Sequence, residues 1–173
     1  SEAVFASENL IFEQIFCDME AFHATLHPFI RNSVAMMEYG GTFFNHRMGR
    51  DNNSGSIRRT GDGFQIATAV LFQNPVQNFA ITPNNLTDAP ADAIAFMKDV
   101  PTTWGDTKLI EGYPGKYVVL ARRNGDKWYI AGVNAQKDVM KLKLDLSSLG
   151  VEPGSAVILA DEKGKELKSK TLK

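Results

Sequence analysis

The spacing of apolar positions changes character near Pro101. Before it, hydrophobic residues recur at helical intervals or sit in irregular loops. After it, short alternating runs follow one another with turn residues between them. From Thr60 to Phe72, Phe64, Ala67 and Leu71 share one helical face, and Ile66 and Val70 widen it. Thr60 or Asp62 is placed to cap that helix, and Asn74-Pro75 ends it, because proline disfavours helical geometry in the residue before it. A second helix is predicted from about Ala89 to Val100, with Asp88 as N-cap, Pro90 in the first turn and Ile94 and Met97 on one side. Leu10 to Phe22 carries Ile11, Ile15 and Phe22 among acidic residues and suits an amphipathic helix. The run Arg31 to Glu38 has an apolar centre and a polar end, the pattern of a buried strand whose C-terminal end presents the Glu38 carboxylate. The polar, glycine-containing stretch from Asn45 to Ile57 is too long for a tight turn and suits a rim.

The second half predicts strands at Lys108–Glu111, Lys116–Arg123, Lys127–Val133, Val139–Leu146, Ala156–Asp161 and Leu167–Leu172. Asn124-Gly125-Asp126 is a hairpin signal, and Gly112-Tyr113-Pro114-Gly115 and Glu162-Lys163-Gly164 are further turns. Regular strand spacing with turn chemistry points to an antiparallel sheet or sandwich. The division is therefore an α/β portion over residues 1–100 and an all-β domain over 101–173.

Composition narrows the function classes. Among 173 residues, residues 1–100 hold six Lys/Arg against eleven Asp/Glu, and residues 101–173 hold thirteen against nine. The basic excess is scattered as single lysines between apolar residues, as in Lys141-Leu142-Lys143-Leu144, which reads as a solvated strand face. No concentrated stripe for phosphates exists, so nucleic acid is not an expected partner. No run of 18 uninterrupted apolar residues occurs, so no membrane is expected either. Cys17, the single cysteine, rules out an internal disulfide and reads as a buried small hydrophobe.

Candidate chemistry is sparse. Glu2 and Glu8 are two carboxylates six apart around an apolar stretch, a spacing common enough to be solvated loop acids. His23 and His27 have a metal-compatible spacing if helical, but Pro28 disfavours helix at His27. Ser54 and Ser56 lack a glycine elbow. Trp104, Tyr113, Trp128 and Tyr129 could stack on sugars, although aromatics in a strand-rich domain more often build core. Composition and spacing alone yield no reaction.

Several separated segments resemble glycoside hydrolase family 97 in the right order. Asp99-Val100-Pro101-Thr102-Thr103-Trp104-Gly105-Asp106-Thr107-Lys108-Leu109-Ile110-Glu111-Gly112-Tyr113-Pro114-Gly115, continuing to Trp128-Tyr129-Ile130, is similar to the family's junction of barrel and C-terminal domain. His23 to Asn32 resembles its histidine-then-Pro-Phe-Thr-Arg segment, and Met37-Glu38-Tyr39 its Met-Asp-Tyr. The resemblance implies the last strand and helix units of a TIM barrel over 1–100, followed by a small antiparallel β-sandwich-like domain over 101–173. It implies a calcium-dependent hydrolase of α-glycosides, such as glucosides or galactosides, exported to a bacterial periplasm. Glu2 then corresponds to a calcium ligand, and Glu8 to a calcium ligand that is also the general acid.

The base or nucleophile lies upstream in the family, so this chain alone is expected to be inactive and to partner the N-terminal part of the same enzyme. The substrate-binding residues stay unassigned. Phe5-Ala6 in place of Arg-Gly, Glu38 in place of aspartate and Gly40-Gly41 in place of Thr-Pro are departures in substrate-facing loops. The competing expectation is a non-catalytic carbohydrate- or protein-binding structural module.

Overall fold

Three short parallel strands lie side by side in sequence order: β1 (Val4–Phe5), β2 (Glu38–Gly41) and β3 (Gln77–Phe79). Phe5 is in register with Tyr39, and Tyr39 with Gln77. A helix occupies each crossover, α1 (Gln14–Ile30) between β1 and β2 and α2 (Asp62–Leu71) between β2 and β3, as parallel pairing requires. The computed structural model describes residues 4–5, 13–49, 51–151, 154–162 and 167–172. After β3 come a short helix α3 (Asn85–Asp88) and α4 (Ala91–Asp99).

The second half is antiparallel. Strands β4 (Asp106–Tyr113), β5 (Tyr117–Asn124) and β6 (Lys127–Asn134) form one meander, with a register shift between Leu109 and Glu111. Strands β7 (Ala156–Asp161) and β8 (Leu167–Leu172) form a separate hairpin. The Asn124-Gly125 turn closes β5 onto β6, and Gly125 takes a φ of 57°, a left-handed value glycine adopts without steric cost.

Helix α2 joins the two halves. Ala69, Val70 and Leu71 share one core with Met37, Tyr39 and Phe43 on the parallel-sheet side and with Val118, Leu120, Ala131 and Val133 of the meander. A smaller cluster on its flank holds Ile66 with Leu159 and Leu167 of the β7–β8 hairpin and Met97 of α4. Burial against two clusters is why Ile66 and Val70 widen the apolar stripe, while the buried Gln65 and Thr68 of the same helix are hydrogen-bonded. Cys17 lies in the larger core, as its sequence setting predicts.

Four sequence expectations give way to the structure. Helix α1 runs through Pro28 to Ile30, because that proline falls in the last turn and the amides of Arg31 and Asn32 both bond to the His27 carbonyl. The strand expected over Arg31 to Glu38 is instead a turn, with Val34 and Met36 exposed. Pairing starts at Glu38, so that residue opens β2 rather than ending a strand. Asp88 ends α3, and its carboxylate accepts from the side chains of Asn84 and Asn85 rather than capping α4. Val139–Leu146 alternates like a strand but joins no ladder among the described residues, and Val139 is 90% exposed. Alternation supplies a face; a strand also needs a partner for its amides.

The glycine at position 41 has a packing cause. The buried Tyr39 ring lies across Gly41, where a Cβ would stand 2.0 Å from Tyr39 Cε1.

His27 is buried on α1 and meets Phe72 edge-on, with ring centroids 5.5 Å apart. Burial, then the neighbouring His23 and Arg31, holds its pKa down to about 4, against the ordinary 6.5. Between those values the unfolded chain takes up a proton that the folded chain refuses, so this site removes stability as pH falls through that window. Burial raises the Glu20 carboxyl instead, which acts in the opposite direction as pH rises above its ordinary 4.5. The unfolding midpoint is therefore expected to fall less steeply from pH 6.5 to 4 in His27→Phe than in the parent, as scanning calorimetry would read.

Candidate functional site

Ligands of parallel α/β folds gather beyond the carboxyl ends of the strands. Here that end is formed by the segment leaving β2, from Thr42 to Thr60, and the segment leaving β3, from Ala80 to Asp88. Thr42, the first residue past β2, is buried and has a φ of 66°. A β-branched side chain in the left-handed region is strained by roughly 1–3 kcal/mol, and such strain is tolerated where the surroundings over-determine the backbone.

The surroundings do so. Gln65 of α2 accepts from the Phe43 amide at 3.0 Å and donates to Glu20 Oε1 at 2.6 Å and to Thr60 Oγ1 at 2.7 Å. The Thr60 hydroxyl in turn donates to Glu20 Oε2 at 2.8 Å. Glu20 is 4% exposed; burial raises its pKa, and the Gln65 and Thr60 donors oppose that rise. The Arg58 guanidinium donates to the carbonyls of Phe44, Asn45 and Thr60 and to Asp62 Oδ1 at 2.5 Å. Three backbone carbonyls and a carboxylate thus hold one buried cation.

Asn45 links the two segments. Its amide donates to Gly49 O and Thr82 Oγ1, and its Oδ1 accepts from Asn84 and Asn85, each at 2.8 Å. These Asn84 and Asn85 amides also hold the Asp88 carboxylate, whose pKa they lower. Sequence reasoning missed Glu20, Asn45, Gln65, Asn84 and Asn85. The only available signal was that polar residues flank the strand ends, and solvated loops show the same.

The β domain reaches this end of the molecule. Helix α2 opens at Gly61 with no side-chain cap of its own; neither Thr60 nor Asp62 takes the role expected of it. Asp161, at the end of β7, supplies the cap. Its carboxylate accepts from the Gly63 amide at 2.6 Å and the Phe64 amide at 3.1 Å. Gly61 leaves the room, since a Cβ there would lie 2.2 Å from Asp161 Oδ2. At the other end of α2, the buried Arg122 of β5 donates to the Leu71 carbonyl at 3.0 Å. Burial pulls the Arg122 pKa to about 10.

The candidates read from the sequence are thereby sorted. Glu2 and Glu8 lie outside the described residues. His23 and His27 stand on one helix with ring centroids 6.2 Å apart, and among the described residues no group of three or more His, Cys, Asp or Glu could hold a metal. Trp104 is half-buried against Tyr129, with centroids 5.4 Å apart, and so builds core. Trp128 lines an open groove instead.

Three outcomes are expected from substitution. Arg58→Met strands three carbonyls and Asp62 and should cost about 3–5 kcal/mol in chemical denaturation. Asp161→Ala should cost about 1 kcal/mol, the size of a lost N-cap. Gly61→Ala should be less damaging in the Asp161→Ala background than alone, because the clash needs the carboxylate.

Comparison with known proteins places this architecture. Residues 103–173 match the family described as glycosyl-hydrolase 97 C-terminal, oligomerisation. A probable retaining α-galactosidase of Streptomyces bingchenggensis (strain BCW-1) is 36% identical over 115 residues, covering 66% of this chain and 17% of that protein. The crystal structure of a β-arabinopyranosidase superposes with a TM-score of 0.93 at 57% identity, covering all of this chain and 27% of that one. A glycoside hydrolase family 97 enzyme from Pseudoalteromonas sp. strain K8 shares the fold, with a TM-score of 0.67 at 18% identity over 94% of this chain and 28% of its own. The chain spans less than a third of the length of each. It is the C-terminal portion of a glycoside hydrolase family 97 protein, ending in the family's C-terminal oligomerisation domain.

Proposed function

We propose that residues 1 to about 100 form the closing arc of a catalytic TIM barrel, and that Glu8 is the general acid of a glycosidase completed by residues outside this chain. One observation carries the reading. The three parallel strands share a direction, and their carboxyl ends open onto a braced, strained rim, the place where barrels hold catalytic groups. Glu8 follows the last residue of β1 by three positions in the sequence.

In that role the Glu8 carboxyl donates its proton to the glycosidic oxygen as the bond to the anomeric carbon lengthens and positive charge spreads over the sugar ring. It must hold its proton near neutrality, which calls for burial or a like-charged neighbour. The second carboxylate, outside this chain, stands across the scissile bond. Glu2 and Glu8 are hard-oxygen donors of the kind calcium takes, but two side chains do not fill a shell of six to eight, and no described cluster adds to them. A calcium ion here would take its other ligands from outside the chain and would supply positive charge beside the substrate.

The relatives' own activities support a substrate class. α-D-Galactopyranosides and β-L-arabinopyranosides share one ring configuration and differ at the C5 hydroxymethyl group, so one rim geometry serves both. The 57% identity to a β-arabinopyranosidase favours the pentose. The full-length polypeptide that contains this chain is expected to cleave p-nitrophenyl β-L-arabinopyranoside faster than p-nitrophenyl α-D-galactopyranoside, and to lose rate when calcium is chelated. Glu8→Gln should lower kcat by roughly 100- to 10,000-fold. Turnover undiminished by Glu8→Gln, or turnover by the 173-residue chain alone, would overturn the reading in favour of another acid or a self-contained site. No turnover in any form would favour a binding module.

A further inference from the structure

Away from the rim, the β domain carries a second concave surface. Asp106, Lys108, Arg123, Asp126 and Trp128 line an open groove of about 470 Å³, with Gly150 also in its lining. The ladder register accounts for the grouping. Asp106 pairs with Arg123, Arg123 with Trp128, and Lys108 with Ala121, so these positions share one face of the meander.

Contacts among the lining residues position them. Lys108 Nζ lies over the Trp128 ring at 5.5 Å from its centroid and Arg123 Cζ at 6.0 Å, so both cations stack on the indole and orient it. Lys108 also donates to the Ser148 carbonyl, tying the sheet to a 3-10 turn that the buried Leu149 anchors. Gly125 and Gly150 stand at the two ends with nothing within 4 Å of where a Cβ would be.

We propose that this groove is a non-catalytic binding site for a neutral pyranose, one or two residues long. A pyranose offers an apolar ring face and a belt of hydroxyls that both donate and accept. Trp128 matches the first. Asp106 and Asp126 accept from hydroxyls, while Lys108 and Arg123 donate to hydroxyl and ring oxygens. Two carboxylates against two cations leave no net charge to attract phosphates or polyanions. Trp104 has no part in it, being packed into the core.

The inference is independent of the catalytic assignment, which only guides the choice of sugars, and the measurement is binding rather than turnover. The full-length polypeptide is titrated calorimetrically with methyl β-L-arabinopyranoside, methyl α-D-galactopyranoside and maltotriose. At least one is expected to bind saturably, and Trp128→Ala should weaken that binding at least about tenfold and remove one sugar per polypeptide. Asp126→Ala, in an exposed turn that tolerates substitution, should do the same, and hydrolysis of small aryl glycosides should be unchanged in both. No saturable binding, or a stoichiometry unmoved by both variants, would overturn the proposal. So would a shift in sedimentation coefficient on Trp128→Ala, which would mark the groove as a contact between copies of the protein.

Discussion

Helix α2 is clamped at both ends by the β domain, each end by the charge that suits it. The first amides of a helix and its last carbonyls lack intrahelical partners, and the aligned peptide dipoles favour an anion at the start and a cation at the finish. Asp161 serves the start and Arg122 the finish, each more than fifty positions along the chain from the helix residue it bonds. The clamp fixes the axial position of α2, and with it Gln65. Through Gln65 the Phe43 amide, the Thr60 hydroxyl and the Glu20 carboxylate take their places.

That dependence makes the rim a property of both halves of the chain. Thr42 keeps its left-handed backbone because Gln65 and Arg58 hold the two residues that follow it, and its own hydroxyl donates to the Gln65 carbonyl. Asn45 then carries the order across to Asn84, Asn85 and Asp88. A rim tied by this many buried hydrogen bonds has little freedom to relax, and rigid support is what a site needs to hold reacting groups within fractions of an ångström. A C-terminal domain described for oligomerisation thus also stabilises the end of the fold where ligands of parallel sheets bind.

Much of the element inventory was legible from local pattern. The α2 stripe, the hairpin at Asn124-Gly125 and the change of texture at Pro101 all appear where apolar period and turn chemistry place them. The misreadings share a cause. Asp88 looked like an N-cap, Thr60 and Asp62 like the start of α2, and Val139–Leu146 like a strand, because each has the right local chemistry. Which donor an acid meets, or whether an alternating segment finds a ladder, depends on residues far away in the chain. Glu20 was the least legible of all. An acidic residue within an amphipathic helix ordinarily faces water, and only the convergence of Gln65 and Thr60 allows it to be buried.

The sequence by itself determined the division into an α/β half and an antiparallel half, and the resemblance of separated segments identified the family, because period, turn residues and motif order are local and survive without coordinates. The tertiary structure alone decided that Asp161 caps α2, that Arg58 is a buried cation serving three carbonyls, and that Trp104 is core while Trp128 lines a groove. Those outcomes rest on burial and on hydrogen bonds between residues up to 98 positions apart, distances over which no sequence period carries information.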